Sequence, residues 1–296
     1  MIKRIIVLII FLTNLTFSQN HFPEPQNKYL LLRLDDFGMC HSVNMAIQKA
    51  MESGLVFSTS VMFACPWYQE AVTILKENPQ ISVGVHLTLN AEWKNYRWGP
   101  IIGPEAASTL VDSNGFFFPS RSKLFGNNPD LTQIEAELRA QVERAVNSGV
   151  KIDYLDYHMG AAVQTEQTRE IVEKLAKEFN LGIAQYYGED YSNATYYAPL
   201  GSKADSVAKR ASELEAGKIN LQVVHVGLDD AELKAMKDLN PWGPADMSTQ
   251  RQGELDAILS KQFRNALKQN NINLITYRTL NDNIGVDNME RPGNFK

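Results

Sequence analysis

Five acidic and imidazole side chains fall where a parallel β/α fold would bring them together. Asp35 and Asp36 end an apolar run, and His86, His158 and His225 lie at or just after the ends of three other apolar runs. The chain has five histidines, and random placement would rarely put three of them at such positions. One carboxylate and two imidazoles supply three metal ligands and leave a coordination position for water, as in a catalytic site. The pattern therefore predicts a catalytic metal centre.

Each of these residues has a simpler interpretation when it is taken alone. Asp35-Asp36 before Phe37-Gly38 could form a polar turn, and a histidine near a strand end is more often a hydrogen-bonded core or surface residue. Two adjacent carboxylates can, however, take different roles: one can bind the metal while the other remains free to act as a base. Neighbouring strand residues point to opposite faces. The pair must therefore lie where the strand gives way to the loop.

The elements that would position these residues alternate between strands and helices. The predicted strands cover residues 29–34, 56–63, 81–87, 152–157, 181–184, 221–226 and 272–276, with helices between them and one long helix at 251–269. Sequential repeats of this kind imply a parallel sheet, either closed or open and doubly wound. We favour a single-domain α/β fold, a TIM-barrel-like (β/α) barrel of about seven parallel strands, with its catalytic groups at the carboxyl ends of the strands.

The two ends of the chain are expected to lie outside this barrel. Lys3 and Arg4 precede an apolar run at 5–12 and small residues up to Ser18, which is the pattern of a signal peptide at 1–18. An uncleaved membrane anchor is the alternative. The expected domains are an amino-terminal segment at 19–28, a β/α-barrel domain at 29–280 and a loosely held tail at 281–296. Cleavage would make the protein exported, periplasmic or extracellular, with no integral membrane segment.

A long irregular stretch at 88–130 interrupts the strand and helix rhythm. Structureless segments of this length are usually functional or disordered, and the aromatic residues here, Trp93 and Trp98 among them, argue against disorder. We predict a loop at the barrel mouth. Pyranose rings offer apolar faces to flat aromatic rings, so Trp93 and Trp98 are candidate substrate-binding residues. Packing of the loop on the barrel rim is the alternative.

Charge and cysteine content limit the partners and the kind of metal site. The formal charge of −5 shows no excess of basic residues, which disfavours nucleic acid as a partner. The two cysteines, Cys40 and Cys65, are too few and too scattered for a thiolate site. Export would permit a disulfide between them, but their spacing does not show that they meet. Oligomeric state leaves no trace in the sequence.

Four motifs together resemble the YdjC-like carbohydrate deacetylases, which include the chitooligosaccharide deacetylases. They are LDDFG at 34–38 followed by SVN at 42–44, GVHLTL at 84–89, Asp-x-His at 156–158 and Arg-x-x-Glu-Leu at 251–255. Their order and spacing match from about residue 29 to 276. The resemblance implies a β/α barrel of about seven strands and removal of the N-acetyl group from an amino sugar or oligosaccharide.

The resemblance also implies a role for each candidate residue. Asp36, His86 and His158 would bind one divalent metal ion, with zinc or magnesium the leading choices. Asp35 would be the catalytic base, and His225 would match a late histidine that acts as the acid. Two departures stand out in this sequence. Met159 follows His158 where the family often has further histidines, and Val226 follows His225 where the family usually has proline.

Arg251 completes the expected catalytic set. Its guanidinium could orient Asp35 and hold that carboxylate ionised; the alternative is a surface pair with Glu254 three residues later. Three other functions remain open: another barrel metallohydrolase, a non-catalytic secreted glycan-binding protein on the same fold, and a glycosidase. Adjacent Asp35 and Asp36 disfavour the glycosidase, because its two carboxylates must stand about 5 Å or more apart across the bond.

Overall fold

Apolar runs and amphipathic helices alternate along the chain and build a curled parallel sheet with helices packed on its outer face. The computed structural model describes residues 22–293. The strands are β1 Lys28–Phe37, β2 Ser58–Val61, β3 Ser82–Leu87, β4 Ile152–Tyr157, β5 Gly182–Ile183, β6 Asp190–Ser192, β7 Ile219–Val224 and β8 Ile272–Ile275. Every pairing between them is parallel, in the order β5-β4-β3-β2-β1-β7-β6, and β8 pairs with the start of β1. The sheet is an incompletely closed barrel.

Eleven α-helices connect or follow these strands within residues 22–293. They are α1 His41–Glu52, α2 Tyr68–Glu77, α3 Arg121–Gly126, α4 Leu131–Asn147, α5 Glu166–Phe179, α6 Ala194–Tyr197, α7 Lys203–Ser212, α8 Ala231–Ala235, α9 Met247–Leu259, α10 Lys261–Gln269 and α11 Tyr277–Asn283. Short 3-10 turns lie at His158–Val163, Leu200–Ser202 and Val286–Asn288. None of these helices is long and apolar enough to cross a membrane.

The side chains of β1 alternate between two apolar cores. Leu30, Leu32 and Leu34 pack toward the surrounding helices, whereas Tyr29 and Leu31 belong to a smaller cluster inside the barrel. Because successive strand residues face opposite sides, the inward face continues from Leu31 to residues 33 and 35. The sequence thus changes from apolar to charged along one face of one strand. The charged end is the carboxyl end, where a β/α barrel holds its active site.

The seven predicted strands are all present, and the predicted barrel-like class is confirmed. One further strand, β6, was not predicted, because it has only three residues and no alternation of apolar and polar side chains. The helix predicted at 251–269 is in fact two helices, α9 and α10. Ser260 has an extended backbone between them, and its side chain accepts a hydrogen bond from the Phe263 N–H, which caps α10.

The end of the chain is more firmly attached than we expected. The residues after Leu280, predicted to be loosely held, continue α11 and then pack on α5 as far as the description extends. The backbone N–H of Glu290 donates to the carbonyl of Tyr186 at 2.9 Å. The guanidinium of Arg291 pairs with Glu173 and Glu166. Tertiary hydrogen bonds of this kind leave no periodic signal in a sequence.

We predict that Arg278 is a main anchor of α11. Its guanidinium contacts Asp153 at 3.1 Å and the carbonyl of Ile81 at 2.8 Å, and the Asp153 side chain is only 2% exposed. Arg278→Ala should lower the free energy of unfolding by about 2–4 kcal/mol. It removes the nearest cation from a buried carboxylate and leaves only the exposed Lys151, at 3.6 Å, and the Val83 N–H beside it. Urea denaturation measures the change.

Arg291→Ala is the matched control for this prediction. Its ion pairs are more exposed, with side-chain exposures of 35% for Arg291 and 29% for Glu173, so the loss should stay below about 1 kcal/mol. Equal losses in the two variants would contradict the prediction.

Candidate active site

A local change of backbone conformation separates the two adjacent aspartates. Asp35 lies on the inward face of β1, and Asp36, its neighbour, would normally face outward. Asp36 instead adopts a left-handed conformation with φ of 68°, at an irregularity in the β1–β2 pairing between Leu34 and Phe37. Irregularities of this kind re-aim side chains. Both carboxylates are therefore directed into the carboxyl end of the barrel, which agrees with the predicted position of the pair.

Three potential ligand atoms meet in a triangle. Asp36 Oδ1 lies 3.3 Å from His86 Nε2 and 3.3 Å from His158 Nδ1. The two histidine nitrogens lie 3.3 Å from each other. Tetrahedral bonds of about 2.0–2.1 Å would place neighbouring ligand atoms about 3.3 Å apart. The spacing is thus that of three ligands around one small cation.

The chemistry of these three side chains also fits a cation. All are buried, and Asp36 Oδ1 has no hydrogen-bond partner in the described chain. A buried carboxylate oxygen without a partner is costly, and a cation in the triangle would satisfy it. One carboxylate with two imidazoles suits zinc and leaves open the coordination position that a catalytic site needs.

Each histidine of the triangle is backed by a second carboxylate. His86 Nδ1 lies 2.8 Å from Asp156 Oδ1, and His158 Nε2 lies 3.0 Å from Glu92 Oε2. Partners of this kind fix the ring orientation and the tautomer of a metal-binding histidine. Burial alone would lower both histidine pKa values. The carboxylates outweigh it and raise the pKa of His86 to about 10 and that of His158 to about 9.

Arg251 contacts Asp36, so its expected contact with Asp35 is a wrong prediction. Its Nη2 donates to Asp36 Oδ2 at 2.6 Å. The alternative, an exposed pair with Glu254, is also wrong, because Arg251 is only 4% exposed. Burial would raise the pKa of Asp36, but the charge of Arg251 and the close approach of the two histidine rings, each 3.3 Å away, hold it well below its ordinary value. Arg251 thus leaves Oδ1 of Asp36 free for a cation.

Arg33 occupies the position that we expected for Arg251. Its Nε and Nη2 donate to the two carboxylate oxygens of Asp35 at 2.7 and 2.8 Å, and its Nε also lies 3.1 Å from Asp156 Oδ2. This forked geometry is the strongest form of an arginine–carboxylate pair. Arg33 therefore connects the predicted base to the carboxylate that supports His86.

His225 lies on the other side of Asp35. Its Nε2 is 4.0 Å from Asp35 Oδ2, and its backbone N–H donates to Glu254 Oε2. The second ring nitrogen, Nδ1, lies 4.0 Å from the same Glu254 oxygen. Burial lowers the pKa of His225 and raises that of Glu254 to about 7. A small movement of either side chain would therefore bring His225 Nε2 within hydrogen-bond distance of Asp35.

The two predicted sugar-stacking residues lie in the interior of the loop at 88–130. Trp93 is 1% exposed and Trp98 is 4% exposed. The Trp98 ring is 6.2 Å from that of His158, and its indole N–H donates to the carbonyl of Asn90. The Trp93 ring lies 5.8 Å from the Arg251 guanidinium. Neither ring offers an open face in this conformation, so their role in sugar stacking stays a prediction.

The remaining candidates lie outside the triangle. His41, a fourth histidine, begins α1, and its Nδ1 lies 2.9 Å from Glu70 Oε1. Cys40 and Cys65 are free and buried, so the disulfide that export would permit is not formed. His21 and the predicted signal peptide at 1–18 lie outside the described residues.

Sequence reasoning missed four charged members of the site: Arg33, Glu92, Asp156 and Glu254. Two of them carried a usable signal. Arg33 is a charged residue in a buried strand, two positions before Asp35 and on the same face, and Asp156 stands two positions before His158. Glu92 and Glu254 come from a loop and a helix whose packing no local pattern reveals.

Comparisons with known proteins point to one family. A family model described as YdjC-like protein matches residues 29–269. A carbohydrate deacetylase of Thermoanaerobacter pseudethanolicus is 27% identical over 268 residues, covering 86% of this chain and 99% of that protein. Carbohydrate deacetylase 1 of Listeria innocua is 24% identical over 264 residues, covering 85% and 99%.

One solved structure matches the fold over nearly its full length. It is a crystal structure from Enterococcus faecalis of a protein with a proposed role in cellobiose-phosphate cleavage. The TM-score is 0.71 at 22% sequence identity, covering 86% of this chain and 99% of that one. At this level of identity the likeness shows the fold alone.

We predict that metal binding releases protons and weakens as the pH falls. Metal ligation requires neutral imidazole. The raised pKa values of His86 and His158 mean that, in the metal-free protein at pH 7, both rings are cationic and carry a proton on each nitrogen. Titration with zinc at pH 7 should therefore release about two protons per site. Calorimetry in buffers of different ionisation enthalpy measures this number.

His86→Ala is the matched variant for this titration. It should lose stoichiometric zinc, because it removes one corner of the triangle. Zinc binding without proton release in the unmodified protein, or undiminished zinc content in His86→Ala, would refute the assigned ligand set.

Proposed function

The chain belongs to the YdjC-like family, and from that premise we propose that it is a metal-dependent hydrolase that removes the N-acetyl group from an N-acetylated amino sugar or oligosaccharide. Carbohydrate deacetylation is the activity named for its relatives over nearly their whole length. The metal dependence and the amide bond are the finer parts of the proposal. They rest on one observation, the triangle of Asp36, His86 and His158 with Asp35 beside it.

The residues of the triangle support a role for one divalent cation. Asp36 Oδ1, His86 Nε2 and His158 Nδ1 would hold it, with zinc favoured by the two imidazoles and magnesium the alternative. When bound, such a cation polarises an acetyl carbonyl and lowers the pKa of a water molecule beside it. Asp156 and Glu92 keep the two histidine rings oriented toward it.

Asp35 is the proposed base for attack on the acetyl carbonyl. It is buried next to Asp36 but does not belong to the triangle, so its oxygens are available for proton transfer. Arg33 donates to both of those oxygens, which holds the carboxylate in place inside the barrel. Each oxygen keeps a lone pair that can accept a proton from the attacking water.

His225 is the proposed acid for departure of the amine. An amine leaves poorly unless it is protonated, so a proton donor is required on that side. His225 Nε2 lies 4.0 Å from Asp35 Oδ2, so both groups are close enough to act on the same reacting group. Burial lowers the pKa of His225, so its protonated form, once made, gives up the proton readily. Glu254 accepts the backbone N–H of His225 and fixes its position.

Two other functions compete with this proposal. A glycan-binding protein without activity would have no need of a carboxylate and a histidine, Asp35 and His225, beside an intact triangle. Another barrel metallohydrolase would use the same triangle on a different bond. Release of acetate distinguishes both from a deacetylase, because binding alone releases nothing and phosphate or other ester hydrolysis yields other products.

We also propose that the protein acts outside the cytoplasm, as a periplasmic or extracellular enzyme. The support is the order of charged, apolar and small residues at 1–18, which lie outside the described part of the chain. Amino-terminal sequencing of the exported protein should find Gln19 as the first residue. An intact amino terminus on the exported protein would contradict cleavage at this position.

The activity is tested by acetate release from a panel of N-acetylated sugars, from N-acetylglucosamine to its β-1,4-linked oligomers. We expect release from at least one of them, loss of release after incubation with a chelator, and recovery when zinc or magnesium is added. Release that persists in chelator, at a metal content below one per site, would refute metal dependence. No release from any member would refute deacetylation of these sugars.

Asp35→Asn and Asp36→Asn separate the two proposed roles. Both variants preserve size and remove a charge. Asp35→Asn should keep its metal and lose kcat by about 10²–10⁴-fold, the usual contribution of general acid–base catalysis. Asp36→Asn should lose both the metal and the activity. Metal analysis beside steady-state kinetics measures this, and the opposite pattern would mean that the two roles are exchanged.

A further inference from the structure

The position of the Asp36 carboxylate depends on the backbone at that residue. Asp36 has a φ of 68°, and a residue with a side chain keeps this left-handed conformation only where surrounding contacts hold it. Arg251 fixes one oxygen of the carboxylate, but the main chain sets the direction in which the side chain leaves the strand. The contacts that fix the turn after Asp36 therefore decide whether its Oδ1 reaches the triangle.

The turn after Asp36 is closed by a hydrogen bond and packs tightly on α2. The carbonyl of Asp36 accepts the N–H of Met39 at 3.0 Å. Gly38, between them, is also left-handed with a φ of 86°, and a Cβ at this position would lie 2.9 Å from Tyr68 Cα. The turn therefore lies directly against the start of α2. Gly38 is buried there, so its backbone N–H needs a partner within the protein.

Asn44, the fourth residue of α1, supplies this partner. Its Oδ1 accepts the N–H of Gly38 at 2.7 Å. Its Nδ2 donates to the carbonyl of Trp67 at 3.1 Å and to Glu70 Oε2 at 2.8 Å. Asn44 is fully buried, and both ends of its amide are used. One side chain thus connects the turn after Asp36 to the start of α2.

Ser42, two residues earlier in the same helix, has equally close contacts with a different part of the chain. Its N–H donates to Glu232 Oε2 at 2.7 Å, and its hydroxyl lies 2.6 Å from Asp230 Oδ1. Its carbonyl accepts the N–H of Leu228 at 3.3 Å. Ser42 is also fully buried. These partners all follow β7, whereas the Oδ1 of Asn44 reaches the turn after β1.

We propose that Asn44 is a positioning residue of the metal site, which keeps Asp36 aimed at His86 and His158 through the N–H of Gly38. This inference rests on the proposed metal-dependent function. Without the amide oxygen, the buried N–H would lack a partner. The turn would then relax and move Asp36 Oδ1 from its place 3.3 Å from each histidine nitrogen. Asn44 carries no charge, so its removal leaves the charges of the site unchanged.

The test compares the zinc affinity of Asn44→Ala with that of Ser42→Ala, measured by competition with a chelator of known affinity. Asn44→Ala should bind zinc about 10- to 100-fold more weakly, as when a group that orients a metal ligand is removed. Ser42→Ala is the matched control, because it removes buried contacts of the same helix. It should lower the midpoint of urea denaturation and leave the zinc affinity unchanged. Asn44→Leu preserves the volume of the side chain and replaces Asn44→Ala if that variant does not fold.

A conservative variant and a spectroscopic measurement examine the connection through Gly38. Asn44→Asp keeps the oxygen that accepts the Gly38 N–H and loses the amide donor, so it should recover most of the zinc affinity that Asn44→Ala loses. Cobalt in place of zinc gives a visible absorption spectrum that depends on the geometry of its ligands. That spectrum should change in Asn44→Ala and stay the same in Ser42→Ala. No recovery of affinity in Asn44→Asp would assign the effect to the α2 contacts and refute the connection.

Metal binding separates this inference from the proposed function, because it needs no turnover. If no sugar releases acetate but Asn44→Ala selectively weakens zinc binding, the role of Asn44 stands and the deacetylase function fails. If acetate is released and Asn44→Ala binds zinc as tightly as the unmodified protein, the role of Asn44 is refuted. It is refuted as well if Ser42→Ala weakens zinc binding equally, because the effect then reflects a general loosening of α1.

Discussion

Four carboxylates are buried together at the carboxyl end of this barrel, and the rest of the site depends on how their charge is balanced. Asp35, Asp36, Glu92 and Asp156 are each at most 4% exposed. An isolated buried carboxylate is strongly disfavoured, so every one of them has a cationic or imidazole partner within hydrogen-bond distance. Two are guanidinium groups, Arg33 and Arg251, and two are the histidines of the triangle.

This balance explains why a divalent cation suits the site. With both histidines protonated, and with Glu254, whose pKa burial raises to about 7, in its neutral form, four negative groups face four positive ones. A divalent ion that displaces the two imidazole protons would leave that balance unchanged, and it would lie against Asp36 Oδ1, a buried carboxylate oxygen without a hydrogen-bond partner among the described residues. A monovalent ion would leave the site one charge short. The preference for two positive charges is thus set by the surrounding groups as well as by the three ligands.

The strands, the family and the triangle could be predicted from the sequence, but the charged residues that surround the triangle could not. Strand ends and motif spacing identified Asp36, His86 and His158, because those features are local. The partner of Arg251 could not be predicted, since Asp35 and Asp36 differ by one position and only the left-handed backbone at Asp36 decides which of them faces that helix. Glu92 and Glu254 reach the site through tertiary packing alone. Trp93 and Trp98 were correctly located near the site, but their burial depends on how the whole loop at 88–130 packs.

The same backbone irregularity gives the adjacent aspartates different chemistry. If β1 stayed regular, Asp36 would face the outer helices and the site would retain a single carboxylate on that strand. The left-handed residue brings Asp36 to the histidines and to Arg251, and leaves Asp35 on the strand face with Arg33. Each aspartate thus has its own arginine. Asp36 is held by one guanidinium nitrogen on one oxygen, so its other oxygen is free for a cation. Asp35 is held on both oxygens by Arg33 and takes no part in the triangle. Two identical side chains one residue apart can then serve as ligand and base without competing for the same ion.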